Sequence, residues 1–259
     1  MKIFVTGATG YIGGSVAASL MAAGHQVHGL VRSEARASEA RARGIIPIIG
    51  SLDDAQILAD AARSCDAVIN AASADHRAAA NALIDALAGS GRALLHTSGS
   101  SIVGTRSGGE RVDAVFNEDT PFEPSPARAA RVALNRDILA ASARGLRTVV
   151  ICPSLIYGLG TGASLHSIQV PWLIALAREH RVAKHIGPGE NLWSNVHIDD
   201  LVDLYLLALA KAPAGAFYYA ESAENSMREV CEAISRSLGF GGQTASMTLE
   251  EAAAIWGEG

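Results

Sequence analysis

Three glycines at a spacing of three, Gly7, Gly10 and Gly13, stand in the run Thr6-Gly7-Ala8-Thr9-Gly10-Tyr11-Ile12-Gly13, directly after an apolar stretch at 3–6. The spacing has a physical use. Gly7 permits a tight turn, Gly10 leaves room for a pyrophosphate against the backbone, and Gly13 lets the following helix pack closely on the preceding strand. The free N–H groups and positive dipole end of that helix then face the phosphates. Thr9, Tyr11 and Ile12 share the turn and join the glycines as candidate contacts. A glycine-rich turn without a ligand is the plainer alternative. Strand, turn, helix and position in the chain all agree with a dinucleotide.

The end of the second apolar run selects among dinucleotides. An acidic residue there would hold the ribose hydroxyls of NAD. This chain instead has Leu30-Val31-Arg32-Ser33, with Arg36 following. Arg32 can fork onto a 2′-phosphate and Ser33 can donate to it, although an arginine here also reads as a solvated surface residue. The expected cofactor is therefore NADP(H), with NAD(H) second. Leu52 and Asp53, after Gly50-Ser51, fall where an adenine-contacting loop would lie; Asp54 reads more simply as an N-terminal helix residue. Asn70-Ala71-Ala72 closes the fourth apolar run with small residues that let a cofactor pass the backbone.

These residues need a particular frame. Short continuous apolar runs at 3–6, 27–31, 45–49, 67–70, 93–97 and 148–152 alternate with amphipathic stretches at 12–23, 34–43, 54–63, 76–87 and 127–143. Continuous apolar runs are the mark of parallel strands buried on both faces, and glycines 24, 44, 89 and 145 fit helix C-termini. The expected fold is α/β, a Rossmann doubly wound parallel sheet with right-handed crossovers. After Pro153 the alternation lapses. A helix near 166–179, a polar loop at 187–195, helices at 199–211 and 227–238, a strand at 216–220 and a last helix from 249 are expected. We divide the chain into a nucleotide-binding part, 1–153, and a smaller substrate-facing part, 154–259, interleaved with the carboxyl edge of the same sheet.

Composition narrows the classes. With 259 residues and 49% apolar content the chain can bury a substantial core. A formal charge of −5 without a dense Lys/Arg block argues against nucleic acid. Cys65, Cys152 and Cys231 have no metal or disulfide spacing, so no metal is expected. No apolar run reaches the roughly 18 residues that span a bilayer, and Lys-Ile-Phe-Val at the start reads as a strand rather than a leader. The expectation is a cytoplasmic protein with a small-molecule substrate, no membrane or nucleic-acid partner, and a homodimer as a possibility.

Taken in order, several segments resemble the extended and atypical branches of the short-chain dehydrogenase/reductase superfamily, in particular its epimerase/dehydratase group. TGATGYIGG, at 6–14, is similar to the superfamily's nucleotide turn. Leu95-His96-Thr97-Ser98-Gly99-Ser100 is similar to its fifth-strand serine segment. Cys152-Pro153-Ser154-Leu155-Ile156-Tyr157-Gly158 resembles the stretch that passes under the nicotinamide, which makes Pro153 a cofactor contact. Asn195-Val196-His197-Ile198-Asp199-Asp200-Leu201 resembles the group's Val-His-Val-Asp-Asp stretch. The resemblance implies a nicotinamide cofactor, a parallel sheet of about seven strands, and often a dimer built on the helices after strands four and five.

One departure stands out. The family's Tyr and Lys, four residues apart, fall on Ala127 and Arg131, and its serine falls on Gly99, flanked by Ser98 and Ser100. The C-terminal sequence Trp256-Gly257-Glu258-Gly259 also differs from the family's usual tail, as a shortened relative would. A positioned acid contributes roughly 10²–10⁴-fold, so its loss slows carbonyl reduction without forbidding hydride transfer. Replacement candidates are Tyr157, which either points its phenol into the cleft or packs on the glycine-rich loop, and Ser98 and Ser100, which either bind a substrate oxygen or cap a turn. Arg131 keeps a cation that can hold ribose hydroxyls but cannot act as an acid. His96 reads as a packed strand residue, and His197 as structural, with Asp199 capping the helix after it. Trp172, Trp193 and His166 are candidate pocket residues. The leading expectation is an NADP(H)-dependent oxidoreductase of a small carbonyl or conjugated substrate. A non-enzymatic NADP(H)-binding redox sensor and a sugar-nucleotide epimerase or dehydratase are the alternatives.

Overall fold

The structure is a computed structural model and describes residues 1–257; the last two positions of the expected substrate-facing part, 258 and 259, lie outside the described residues. Its first half repeats strand and helix: β1 (Lys2–Thr6), α1 (Tyr11–Ala22), β2 (Gln26–Val31), α2 (Glu34–Ala42), β3 (Ile46–Ile49), α3 (Ala55–Ser64), β4 (Ala67–Asn70), α4 (Arg77–Leu87), β5 (Ala93–Thr97), α5 (Ala129–Ala140) and β6 (Arg147–Pro153). Local chemistry sets the ends. Gly24 and Gly44, after α1 and α2, take φ of 81° and 82°, a region that a side chain would strain. The Ser33 hydroxyl caps α2 by accepting from the Arg36 amide at 3.3 Å.

The rest comprises β7 (Leu155–Tyr157), α6 (Gln169–His180), β8 (Ala183–Ile186), β9 (Leu192–His197), α7 (Ile198–Lys211), β10 (Ala216–Ala220), β11 (Ala223–Ser226), α8 (Met227–Ser237), β12 (Thr244–Met247) and α9 (Leu249–Trp256). Seven strands form one sheet in the order β10-β6-β5-β4-β1-β2-β3, with every pairing parallel. Alternate strand residues feed two cores. Ile3, Val5, Ile69 and Leu95 pack with α1, α2 and α7, while Phe4, Val68, Leu94 and Val150 pack with α3, α4 and α5. The strand order reverses at β1, so the carboxyl ends of β1 and β4 open a crevice, the usual ligand position in such sheets.

Several expected elements differ. The stretch 187–195, expected as a polar loop, contributes most of β9, which pairs parallel with β7 and antiparallel with β11. Its polar residues hid the strand, because the buried Asn195 side chain donates from Nδ2 to the Asn225 side-chain Oδ1 at 2.9 Å. Strands β7, β8, β11 and β12 have three or four residues, too few for a period of two to register. α5 begins at Ala129 and closes in a 3₁₀ turn over Ala141–Arg144. β8 and β12 pair beside α6, α8 and α9, sealed by Ala177, Ala183, Cys231 and Ile234 and by Leu176, Met247 and Ala252. Among the described residues no helix is long and apolar enough to cross a membrane.

Candidate functional site

The glycine turn forms as its spacing requires. Gly7 has φ +73°, its carbonyl oxygen accepts from the Gly10 amide at 2.8 Å, and α1 starts at once. A Cβ on Gly13 would collide with the Gly7 carbonyl oxygen. A Cβ on Gly7 would lie 2.9 Å from the Ala71 carbonyl carbon and 3.0 Å from the Ala72 Cα, so the exit of β4 crosses directly over the turn. No side chain caps α1 and its first turn carries no acid. Its first amides are thus open to an anion, and the cradle, filled by any Cβ, fits a pyrophosphate passing close to the backbone.

A buried hydrogen-bond chain underlies the crevice. Thr6 Oγ1 donates to Asn70 Oδ1 at 2.6 Å and accepts from the Ala71 and Ala72 amides at 3.1 and 3.2 Å. Asn70 Nδ2 donates to His96 Nδ1 at 3.0 Å. His96 therefore carries its proton on Nε2, which lies toward the Ala74 carbonyl but outside hydrogen-bond geometry. Burial pushes the His96 imidazole down to about 4, so the ring is neutral at pH 7. The Asn70 side chain is thus turned inward onto His96, and Ala71 and Ala72 are the residues that meet the turn.

Beside this chain lies a second cluster. Arg131 forks onto Asp75, Nε to Oδ1 at 2.7 Å and Nη2 to Oδ2 at 2.6 Å, while Nη1 donates to Ser101 Oγ at 3.1 Å. The Arg131 hydrogen bonds hold the Asp75 carboxyl below its usual range. Ser98 is buried and its Oγ accepts from Asn135 Nδ2 at 2.8 Å. Ser100 opens the 3₁₀ turn Ser100–Val103 and stays half-buried. Cys152 packs beside Ser98, and burial pushes its thiol up to about 12. Pro153 closes β6 and is buried.

The third part fastens the chain after Pro153 to the nucleotide turn. The Tyr11 hydroxyl donates to the carbonyl oxygens of Tyr157 and Gly158 at 3.1 and 2.9 Å. The Thr161 amide donates to Ser15 Oγ at 3.2 Å, and Gly162 lies against Gly14. The Tyr157 ring meets His197 edge to face, with centroids 5.1 Å apart. His197 ends β9 and caps α7, its Nδ1 accepting from the Asp199 amide at 3.2 Å. The capping residue is thus His197 rather than Asp199, because the chain leaves extended geometry at His197 and the imidazole reaches the first free amide.

A model of the NAD dependent epimerase/dehydratase family matches residues 3–219. The chain belongs to this family. Oxidase ucsJ of Acremonium sp is 33% identical over 98% of this chain and 85% of its own length. The 4-hydroxy-2-methyl-3-oxo-4-farnesyl-3,4-dihydroquinoline-1-oxide ketoreductase of Stigmatella aurantiaca is 30% identical over 85% of this chain and 67% of its own. Among solved structures, dTDP-glucose 4,6-dehydratase of Bacillus anthracis, in complex with NAD, superposes with a TM-score of 0.76 at 18% identity, covering 99% of this chain and 90% of that one. At that identity the likeness concerns the fold.

Ala127 is exposed in the turn before α5, and Arg131 is engaged by Asp75. Gly99 lies against Arg131: a Cβ there would stand 3.5 Å from Nη1. At the adenine end, Arg32 is exposed and without an ion-pair partner among the described residues, whereas Arg36 pairs with Glu39 at 2.7 Å and Ser33 is spent on its helix cap. Leu52 leans on the core under α3, and Asp53 meets His76 Nε2 at 3.1 Å. Asp54 accepts from the Ser51 amide at 2.6 Å. Trp172 and His166 are exposed, and Trp193 is half-buried in β9. The sequence reading passed over Asp75, Ser101, Asn135 and Tyr219. The i, i+4 spacing of Arg131 and Asn135 on one helix face was the available signal for Asn135. Tyr219 becomes a neighbour of Cys152 only through strand register; burial above all, with the Glu118 carboxylate adding to it, holds its phenol above the usual range.

Proposed function

We propose that this chain is an NADP(H)-dependent oxidoreductase acting on a small carbonyl or conjugated substrate. The observation that carries the reading is the pairing of an intact glycine cradle at the β1–β4 crevice with an unpaired Arg32 at the end of β2. The amides opening α1 receive the pyrophosphate, Arg32 takes the 2′-phosphate, and Ala71 and Ala72 let the dinucleotide pass. A bound nicotinamide supplies the hydride. Arg131, fixed by Asp75 and Ser101, would offer its positive charge to the ribose of a bound dinucleotide and does not serve as an acid. Ser98 accepts from Asn135 and turns its own proton to the Cys152 sulfur, and the Cys152 thiol stays protonated at pH 7. Ser100 and Tyr157 are therefore the donors left to orient a substrate oxygen, and an activated acceptor takes its proton from water. Relatives named as an oxidase and a ketoreductase support this class. A cytoplasmic setting goes with it, since all three cysteines are free and buried.

One observation favours a second reading. Ala127 leaves no phenol at the start of α5, as suits a protein that binds NADP(H) without turning it over. Parallel titrations of NADPH and NADH against the parent chain and Arg32→Ala test the cofactor. NADPH should bind more tightly and lose about 10–100-fold on substitution, the worth of a charge-assisted pair. Equal binding of both nucleotides, unchanged in the variant, removes the NADP(H) assignment. NADPH oxidation with a panel of ketones and enones then separates an enzyme from a binding protein.

A further inference from the structure

The dinucleotide reading gives the crevice a direction. Arg32 stands at the end of β2 and the phosphate cradle follows β1, so in the strand order β5-β4-β1-β2 the other half of a dinucleotide extends over the exits of β4 and β5. A cluster of charge stands there. Arg131 ties Asp75, in the loop after β4, to Ser101, in the turn after β5. Arg128, the N-cap residue of α5, is three positions earlier on the same face of that helix, and its charge reaches Asp75. The two arginines share a single carboxylate. Asp75 spends both oxygens on Arg131, and among the described residues no acid lies within ion-pair distance of Arg128. Arg128 is nonetheless half-buried, where a cation without a counter-ion is costly.

Three further observations agree. Ala127, Ala129 and Ala130 place only methyl groups beside Arg128 along the chain. α5 has no side-chain cap and no acid in its first turn, so the positive end of its dipole is unopposed. His96, 1% exposed, leaves Nε2 without a bonded partner, and its charged neighbours are the same Asp75 and Arg131.

We infer that Arg128 receives a carboxylate of the substrate, so that the carbonyl compound is an oxoacid. This rests on the oxidoreductase reading above. Arg128 and Arg131 against Asp75 leave a surplus of one positive charge, which a monoanion balances. The planar guanidinium matches the two oxygens of a carboxylate. The diphosphate of a nucleotide-linked sugar brings more negative charge than this surplus can meet.

The test is calorimetric titration of the NADP⁺-saturated chain with levulinate and acetoacetate, each beside its methyl ester, in which no turnover is needed. Each acid should bind about 10–100-fold more tightly than its ester, the worth of a charge-assisted pair. Arg128→Gln should bring acid and ester to within about twofold of each other while NADP⁺ affinity stays in place. Arg128→Lys, which keeps the charge and loses the fork, should retain an intermediate preference for the acid. Acid and ester binding alike in the parent chain, or neither binding, overturns the inference and leaves the cofactor reading standing. So does a preference for the acid that survives in Arg128→Gln, or UDP-glucose binding more tightly than either acid. A loss of NADP⁺ affinity in Arg128→Gln assigns the guanidinium to the cofactor and overturns the inference as well. Failure of the parent chain to bind NADP⁺ at all overturns the oxidoreductase reading and this inference with it.

Discussion

A single methyl group at Gly13 would be driven into the carbonyl oxygen of Gly7, and neither backbone can retreat without opening the turn. Gly13→Ala should therefore cost at least tenfold in NADPH affinity and lower the thermal midpoint as well; a variant that binds like the parent would show that the turn does not hold the nucleotide. His96 gives a pH signature. Burial holds the ring neutral in the folded state down to about 4, with Nδ1 accepting from Asn70 Nδ2, while the unfolded chain protonates it near 6.5. The folded pKa is depressed, hence the contribution is whole above pH 6.5 and is lost as pH falls toward 4. By pH 4.5 the parent should lose about 2 kcal/mol more than His96→Gln, read from urea denaturation at pH 7 and 4.5. Asp75 has the same sign in a lower window. Its depressed pKa stabilises the fold above the ordinary carboxylate range, so the stability gap between the parent and Arg131→Gln should narrow as pH drops below about 4. The glycine turn was legible residue by residue because backbone sterics leave few substitutes. The Arg131–Asp75 fork was not, since its partners lie 56 positions apart and only the packing of α5 against the exit of β4 joins them.

At the scale of elements, strands β1 to β6 and their helices announce themselves through apolar runs, because both faces of the inner strands are covered, while β3 at the sheet edge leaves Ile46 and Ile49 exposed. β9 does not, because its Asn195 side chain is satisfied by Asn225 across the ladder, a partner visible only once β11 is paired. Helix starts in the small region are encoded locally. Ser226 and Glu229 form a capping box on α8, and Thr248 and Glu251 form another on α9. α8 turns Cys231 and Ile234 into the small core. Ser226→Ala should cost about 1 kcal/mol, seen as a lower urea midpoint with an unchanged slope; a changed slope would mean that the small region unfolds on its own.

For the whole molecule, the division at Pro153 is one of sequence more than of structure. β10, drawn from residues 216–220, covers the edge of β6, and α7 seals one face of the sheet through Leu201, Val202 and Tyr205. A chain ending at 153 would expose the open edge of β6 and the apolar face under α7. It should express as aggregate or as a loose compact state, and a monomeric 1–153 fragment with a cooperative melt would refute that.

The two glycines that face each other across α1, Gly14 and Gly162, carry a further consequence. A Cβ on Gly162 would stand 2.5 Å from the Gly14 carbonyl carbon, so helix and loop share one closely fitted joint. Thermodynamic reciprocity then runs both ways: whatever steadies the turn steadies the loop, and whatever loosens the loop weakens the turn. Deuterium uptake at the amides of 158–162 should slow when NADPH is added, while the glycine-rich bend at 239–242 keeps its rate. Gly162, in a part of the chain remote in sequence from the nucleotide turn, thereby becomes a dial on nucleotide affinity.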